Sequence, residues 1–282
     1  MMTARKALSL AKKRLMRVDV PESYAKYVLN ELYLKKELNL YEHLDLEMDE
    51  DLALDFEAKL ERLEKDEPLA YVMGIQYFYG YPFEVNPSVL IPRYETEELV
   101  LRVIMEIDEH FEDKSVSVLD IGTGSGAIAC VLKKEIEHST VYASDISKEA
   151  LIQAKKNAQM LEAEVTFLEG DMAQPFVDEK ILADVLVCNP PYIPQDEVIE
   201  NSVKAYEPHV ALFGGQDGLY FYRKVLEKAH LILKPRSIMA FEMGWDQRIT
   251  LTHLVHEYFP KADVECIQDL NHKDRILIVR QL

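Results

Sequence analysis

The feature that most constrains the fold of this chain is a junction with no spacer. Val118-Leu119-Asp120-Ile121 runs straight into Gly122-Thr123-Gly124-Ser125-Gly126, which opens directly into Ala127-Ile128-Ala129-Cys130-Val131-Leu132. The first stretch reads as a buried strand and the last as a helix. Glycines are needed between them because the turn is tight and because a ligand can approach the backbone only where no Cβ stands in the way. The chain beyond Glu95 keeps the same rhythm to its end. Helical periods over 95–110, 126–137, 147–160, 217–233 and 246–258 alternate with strand periods over 116–121, 140–144, 164–169, 183–188, 237–242, and near 262–268 and 275–280. This alternation predicts an α/β domain with a mainly parallel sheet covered on both faces.

Upstream the texture differs. No glycine occurs between Ala4 and Leu69, and Leu8, Ala11, Leu15, then Tyr24, Tyr27, Val28, and later Leu52, Leu54, Phe56, Leu60 and Leu63 recur at helical spacing. A small helical bundle is expected there. At Glu67-Pro68 the pattern gives way to EPLAYVMGIQYFYGYPFEV, rich in Gly, Pro and aromatics and alternating as paired strands do, which predicts a linking hairpin. The expected division is a helical domain over 1–69, a hairpin over 70–92 and the α/β domain over 93–282.

Composition removes several function classes. With 48% hydrophobic and 29% charged residues, the 282-residue chain can bury a sizeable core, so disorder is excluded as its main state. Its 50 acidic residues against 32 basic ones give a net charge of −18, which repels a phosphate backbone and excludes a general nucleic-acid binder. The six basic residues in positions 1–17, with no acidic one among them, fit a solvated helix face, a contact for an acidic partner or a transit peptide, the first being the plainest reading. Cys130, Cys188 and Cys266 have neither disulfide nor zinc spacing and read as small buried residues in a reducing compartment. No apolar run approaches the ~18 residues of a membrane span, and the start lacks the apolar centre of a signal peptide; a cytoplasmic protein is expected.

Further strand ends carry polar groups. The strand VYAS ends at Asp145, whose carboxylate would meet the hydroxyls of a ribose bound across the strand ends, although Asp before Ile-Ser also suits a helix cap. VTFLEG ends at Asp171-Met172, placed to border an adenine. Gly122-x-Gly124-x-x-Ala127 also satisfies the dinucleotide fingerprint, so this segment alone leaves a nicotinamide enzyme open. After the strand ADVLVC comes Asn189-Pro190-Pro191-Tyr192. Two prolines fix φ and lack N–H groups, so the Asn189 side-chain oxygen and the Pro190 carbonyl can be held rigidly to accept both hydrogens of a planar NH2 group, while Tyr192 packs on its flat face.

An acidic residue such as Asp120 before G-x-G-x-G resembles the pattern of S-adenosylmethionine-dependent methyltransferases. Nearly end to end, the chain resembles the HemK family of peptide chain release factor glutamine N(5)-methyltransferases. The resemblance runs through EPLAYVMGIQYFYGYPFEV, LIPRYETEELV, DIGTGSGAIA, Asp145, Asn189-Pro190-Pro191-Tyr192-Ile193 and EPHVALFGGQDGLYFYRKVL. It departs at Tyr94, where family members usually carry proline, and at Met172, where some carry tryptophan. It implies a seven-stranded, Rossmann-like class I methyltransferase domain behind a helical bundle and a linking hairpin. It also implies a glutamine in the Gly-Gly-Gln loop of class I release factors as acceptor, with S-adenosylhomocysteine as the second product. On this basis Asp120, Gly122, Thr123, Gly124, Ser125 and Gly126 hold the methionine part of the cofactor, Asp145 the ribose, and Asp171 and Met172 the adenine, with Asn189 to Tyr192 holding the glutamine and Asn189 touching the cofactor as well. Arg93, Thr96 and Glu97 match an R-x-x-T-E segment near the mouth of the site, with helix capping an equal reading for Thr96.

The expected reaction is an in-line displacement in which the protein chiefly supplies alignment and no metal is needed. An adenine N(6)-methyltransferase would use the same NH2 geometry, but the acidic charge and the lack of a second basic domain stand against it. A methyltransferase acting on a ribosomal-protein glutamine would share nearly the whole site. Neither a membrane nor a nucleic-acid partner is expected. Gly214-Gly215-Gln216 repeats the acceptor tripeptide within the chain and reads as a turn.

Overall fold

The computed structural model describes residues 2–111 and 115–282. The chain forms two compact units, one running to Ile75 and taking in Glu200–Tyr206, the other made of Gln76–Ile199 and Glu207–Leu282.

The first unit is built on α1 (Ala4–Met16), α2 (Ser23–Leu34), α3 (Glu50–Leu63) and the short α4 (Leu69–Met73). Thr3 caps α1 by accepting from the Lys6 N–H at 3.3 Å. The buried stripe of α1 is Ala4, Ala7, Ala11 and Leu15, and it shares a core with Val28, Leu29 and Leu32 of α2 and Leu52, Phe56, Leu60 and Leu63 of α3. Arg14 pairs with Glu57 at 2.6 Å and Glu64 at 2.7 Å. These pairs are partly exposed and stabilise little; the apolar stripe holds the bundle.

A hairpin of β1 (Ile75–Phe78) and β2 (Tyr81–Glu84) follows, lying from Gln76 onward in the second unit. Its turn, Tyr79-Gly80, has both residues at positive φ, as a two-residue hairpin turn requires. Then follow α5 (Tyr94–Phe111), β3 (Ser117–Ile121), α6 (Ala127–Glu135), β4 (Thr140–Asp145), α7 (Lys148–Met160), β5 (Val165–Glu169), α8 (Gln174–Asp178), β6 (Ala183–Cys188) and α9 (Asn201–Tyr206), the last being the segment that groups with the first unit. The chain ends with α10 (Tyr220–Ile232), β7 (Leu233–Glu242), α11 (Arg248–Tyr258), β8 (Asp263–Gln268) and β9 (Asp274–Gln281). At five or six residues, α4, α8 and α9 are too short to leave a helical period; α8 and α9 have no counterpart among the expected elements, and α4 stands where the hairpin is expected to begin, the paired strands covering only 75–84.

The expected seven-stranded, mainly parallel sheet is present, in the order β5-β4-β3-β6-β7-β9-β8. Only β9 runs antiparallel to its neighbours β7 and β8. Alternate residues of the central strands feed two cores. Val118, Val185 and Val187 pack with apolar residues of α5 and α6, whereas Leu119, Ile121, Leu186 and Cys188 pack with those of α8, α10 and α11. Cys130 and Cys188 are buried as expected, but Cys266 is only partly so. No helix among the described residues is long and apolar enough to cross a membrane.

Within the parallel strands, the order reverses at β3. From β3 the chain moves outward through β4 and β5, then returns to lay β6 against the other side of β3. This leaves a crevice beyond the C-terminal ends of β3 and β6, where open α/β sheets bind ligands. One buried amide ties the layers beside it. Asn157 of α7 accepts from the Glu84 N–H at 2.9 Å and donates to the carbonyls of Glu84 at 3.0 Å and Ser125 at 2.9 Å, joining the hairpin and the glycine turn. Asn157→Ala leaves three backbone groups without partners, and a loss of about 3 kcal/mol in urea unfolding is expected. A loss below about 0.5 kcal/mol would show that these bonds do not hold the hairpin in place.

Candidate active site

A cavity of about 310 Å³ occupies the crevice. Its wall takes Gly122 and Gly124 from the loop after β3, Asp145 from the end of β4, Asp171 and Met172 from beyond β5, and Asn189 and Pro191 from beyond β6. Gly122 and Gly124 lie at φ +75° and +55°, and a Cβ on either would project into open space, so bare backbone faces the cavity. Asp145 clamps this loop by accepting from the Gly124 N–H at 2.9 Å through Oδ2 and from the Ser147 N–H at 2.8 Å through Oδ1. The cap of α7 is Ser147, which accepts from the Ala150 N–H at 3.1 Å. Asp145 is therefore not spent as a helix cap, and its carboxylate, with about four acceptor sites, retains capacity beyond its backbone donors. Burial raises its carboxyl above the usual range.

Four of the other loop candidates, Asp120, Thr123, Ser125 and Gly126, stand outside the cavity wall. Asp120 is fully buried and braces the turn, with Oδ2 accepting from the Thr123 hydroxyl at 2.6 Å and from the Ala129 N–H at 3.2 Å. Its Oδ1 has no partner among the described residues, and burial pushes the carboxyl up to about 7. Beyond β5, the Met172 carbonyl accepts from the Ser144 hydroxyl at 2.9 Å. Asp171 pairs with Lys224 of α10, which shares the wall.

Beyond β6, Asn189 Nδ2 donates to Thr96 Oγ1 at 3.1 Å, and the Thr96 hydroxyl donates to Glu242 Oε2 at 2.6 Å. The Tyr192 hydroxyl donates to the other Glu242 oxygen at 3.2 Å, and Arg275 Nη1 lies 3.4 Å from it. Burial, followed by the nearby Glu242 charge, raises the Tyr192 hydroxyl; burial likewise raises the Glu242 carboxyl. Pro190 and Tyr192 are not in the cavity wall, while Asn189 and Pro191 are. The loop is held by Gln247, which donates to the Tyr192 carbonyl at 3.1 Å, and by a bridge between Ile193 and Phe213. Gly214 lies so close that a Cβ there would come within 2.5 Å of the Pro191 carbonyl oxygen, so Gly214-Gly215-Gln216 begins a buttress under this loop.

The R-x-x-T-E segment divides three ways. Thr96 reaches Asn189 and leaves helix capping aside, Glu97 accepts from the Tyr79 N–H of the hairpin turn at 2.9 Å, and Arg93 pairs with the buried Glu207. Glu207 also accepts from the Ile91 N–H at 3.2 Å. Glu207, Lys224, Glu242 and Arg275 were not among the sequence candidates. For Glu242 a signal exists: it ends an apolar strand of the sheet, as Asp145 does, and that end is where the crevice lies.

Two family profiles match the chain, PrmC N-terminal domain over residues 6–74 and Methyltransferase small domain over residues 102–206. A release factor glutamine methyltransferase of Bacillus anthracis is 46% identical over 212 residues, covering 74% of this chain and 75% of that protein. Its namesake in Bacillus subtilis (strain 168) is 42% identical over 225 residues, covering 79% and 78%. Among solved structures, a methyltransferase from Pyrococcus furiosus superimposes with a TM-score of 0.51 at 21% identity, covering 72% of this chain and 90% of that one, a likeness of fold. The cavity's chemistry fits S-adenosylmethionine. Two bare glycines admit a backbone-hugging tail, Asp145 offers acceptors to hydroxyls, Met172 and Phe221 offer apolar surface to a base, and acidic surroundings suit a cation.

Two outcomes are expected. Asp145→Ala removes charge-assisted acceptors worth roughly 1.5–3 kcal/mol, so the Kd for S-adenosylmethionine in calorimetric titration should rise between about tenfold and a hundredfold. Unchanged affinity would remove Asp145 from the site. Because the Asp120 pKa is raised from 3.8 to about 7 in the folded ligand-free protein, its contribution is present below pH 3.8 and is lost as pH rises toward 7. Asp120→Asn should therefore gain stability relative to the parent between these limits, on the order of a few kcal/mol, as read by urea unfolding across pH. A difference independent of pH would contradict this.

Proposed function

The chain belongs to the release factor glutamine methyltransferase family, and from that premise we propose that it transfers a methyl group from S-adenosylmethionine to the side-chain amide nitrogen of the Gly-Gly-Gln glutamine in class I peptide chain release factors. The observation that carries this reading is the shared wall: Asn189 and Pro191 line the same cavity as Gly122, Gly124 and Asp145. A methyl donor over the glycines and an amide at Asn189 would therefore meet without a carrier. Cytoplasm, where release factors work, is the setting this reading entails.

Gly122 and Gly124 accommodate the methionine part of the cofactor, Asp145 takes the ribose hydroxyls, and Asp171 and Met172 border the adenine. When bound, S-adenosylmethionine supplies a methyl group already attached to a good leaving group. The protein's share is alignment, an effect that can contribute up to ~7–11 kcal/mol. Asn189 Oδ1, in the cavity wall, and the Pro190 carbonyl, outside it, accept the two hydrogens of the glutamine amide, and the Tyr192 ring, also outside it, packs on its flat face. An amide nitrogen is a poor nucleophile because its lone pair is delocalised into the carbonyl. Hydrogen bonds that favour a pyramidal nitrogen return that pair to it, and the surplus proton leaves through the same acceptors or water. Such a pocket reads little more than one side chain. The helical residues 1–69, most of which fall within the PrmC N-terminal domain match over 6–74, are assigned to recognition of the rest of the release factor.

Incubation with labelled S-adenosylmethionine and, separately, release factor, ribosomal protein and DNA tests the reading. Label on the Gly-Gly-Gln glutamine of the release factor is expected; label confined to ribosomal protein or DNA would overturn it. Asn189→Ala should leave cofactor Kd nearly intact and reduce single-turnover methylation by roughly a hundredfold to a thousandfold, with no rescue by added substrate. Near-normal turnover in that variant would make Asn189 structural.

A further inference from the structure

We infer that Glu242 is a positioning residue for this methyl transfer: acting through the Thr96 hydroxyl, it fixes which end of the Asn189 amide is presented to the substrate. The inference rests on the methyl-transfer reading above and deepens it. While Glu242 is ionised, the hydrogen-bond inventory admits one arrangement. An ionised carboxylate only accepts, and a threonine hydroxyl has a single hydrogen. Thr96 Oγ1 stands 2.6 Å from Glu242 Oε2, so that hydrogen goes to Glu242 and the Thr96 oxygen is left to accept. The end of Asn189 lying 3.1 Å from Thr96 must then be its NH2 group. Oδ1, the sole acceptor on that side chain, lies on the opposite side of the amide, and Asn189 stands in the cavity wall.

Turned the other way, Asn189 would offer donors to a substrate NH2 that itself has only hydrogens to give. The chain of contacts is well shielded, since Thr96 and Glu242 are only 5% and 2% exposed. The second Glu242 oxygen accepts from Tyr192, so one carboxylate orients both polar side chains of the Asn-Pro-Pro-Tyr loop. A carboxylate buried with only two side-chain donors and Arg275 nearby adds little to stability, so holding this loop is the better account of Glu242.

The groups facing Glu242 are Thr96 and Glu95 from α5, Tyr192 from the loop after β6, Arg275 from β9 and, at its backbone carbonyl, the Tyr222 hydroxyl from α10. Burial holds the Glu242 carboxyl above the ordinary range. Protonated, it could donate to Thr96 and release the constraint on Asn189, so turnover should fall on the acid side.

Three variants test this, with cofactor Kd from calorimetry and single-turnover methylation of saturating release factor as readouts. Thr96→Val keeps the shape and removes the hydroxyl; it and Glu242→Gln should each slow methylation by roughly ten- to a hundredfold while Kd stays within about twofold. Thr96→Ser should recover most of what Thr96→Val loses, and Glu242→Gln should flatten the acid limb of the rate profile. A wild-type rate in Thr96→Val, a Thr96→Ser as slow as the valine variant, or a loss found wholly in Kd would overturn the inference. Should Glu242→Gln fail to fold, the two Thr96 variants decide alone. A wild-type enzyme that leaves the release factor unmethylated would overturn the proposed function itself, whereas normal wild-type turnover with an inert Thr96→Val overturns only the relay.

Discussion

A parallel sheet opens a crevice for a ligand only where the chain reverses its order across the sheet, and here that happens between β3 and β6. Everything at the site inherits its position from that gap. The glycine turn must leave β3 without a spacer, because any extra residue would move the bare backbone away from the strand ends. The Asn-Pro-Pro-Tyr loop must leave β6 stiffly, because its acceptors are useful only if they stay where the neighbouring strand holds the glycines. Prolines, the Gln247 bond and the close approach of Gly214 all serve that stiffness.

Acids accumulate around the crevice in a way that stability alone would not favour. Asp120, Glu207 and Glu242 are each almost wholly buried, and a buried carboxylate is costly unless donors surround it. Each has found some: Thr123 and Ala129 for Asp120, Ile91 and Arg93 for Glu207, Thr96 and Tyr192 for Glu242. In every case the donors belong to a segment that borders the cavity or directly supports it. Held between donors in a water-poor setting, such carboxyl groups leave their neighbours little rotational choice, which keeps loops in one arrangement.

Much of this was legible in the sequence because its physical causes are local. The junction at Ile121-Gly122, the acid closing β4 and the double proline after Asn189 each declare a backbone geometry within a few residues. What stayed hidden depends on contacts between distant segments. Thr96 and Glu242 lie 146 residues apart, and nothing near Thr96 distinguishes a relay from a helix cap. Glu207 sits in a stretch that resembles the family without revealing that Arg93 pairs with it. Likewise, a motif such as Asp120 to Gly126 announces that a turn is needed, but only packing separates Gly122 and Gly124, which face the cavity, from Asp120, Thr123 and Ser125, which are buried behind them.

On the proposed function, the glycine turn and the Asn189 loop serve one reaction centre, with Asn189 as an acceptor toward the substrate amide. A crystal structure with S-adenosylhomocysteine and a Gly-Gly-Gln peptide is the decisive test. The glutamine amide nitrogen is expected within hydrogen-bond distance of Asn189 Oδ1 and the Pro190 carbonyl, its open side toward the cofactor sulfur. A glutamine seated elsewhere, or met by Asn189 Nδ2 with the Thr96 contact broken, would contradict it.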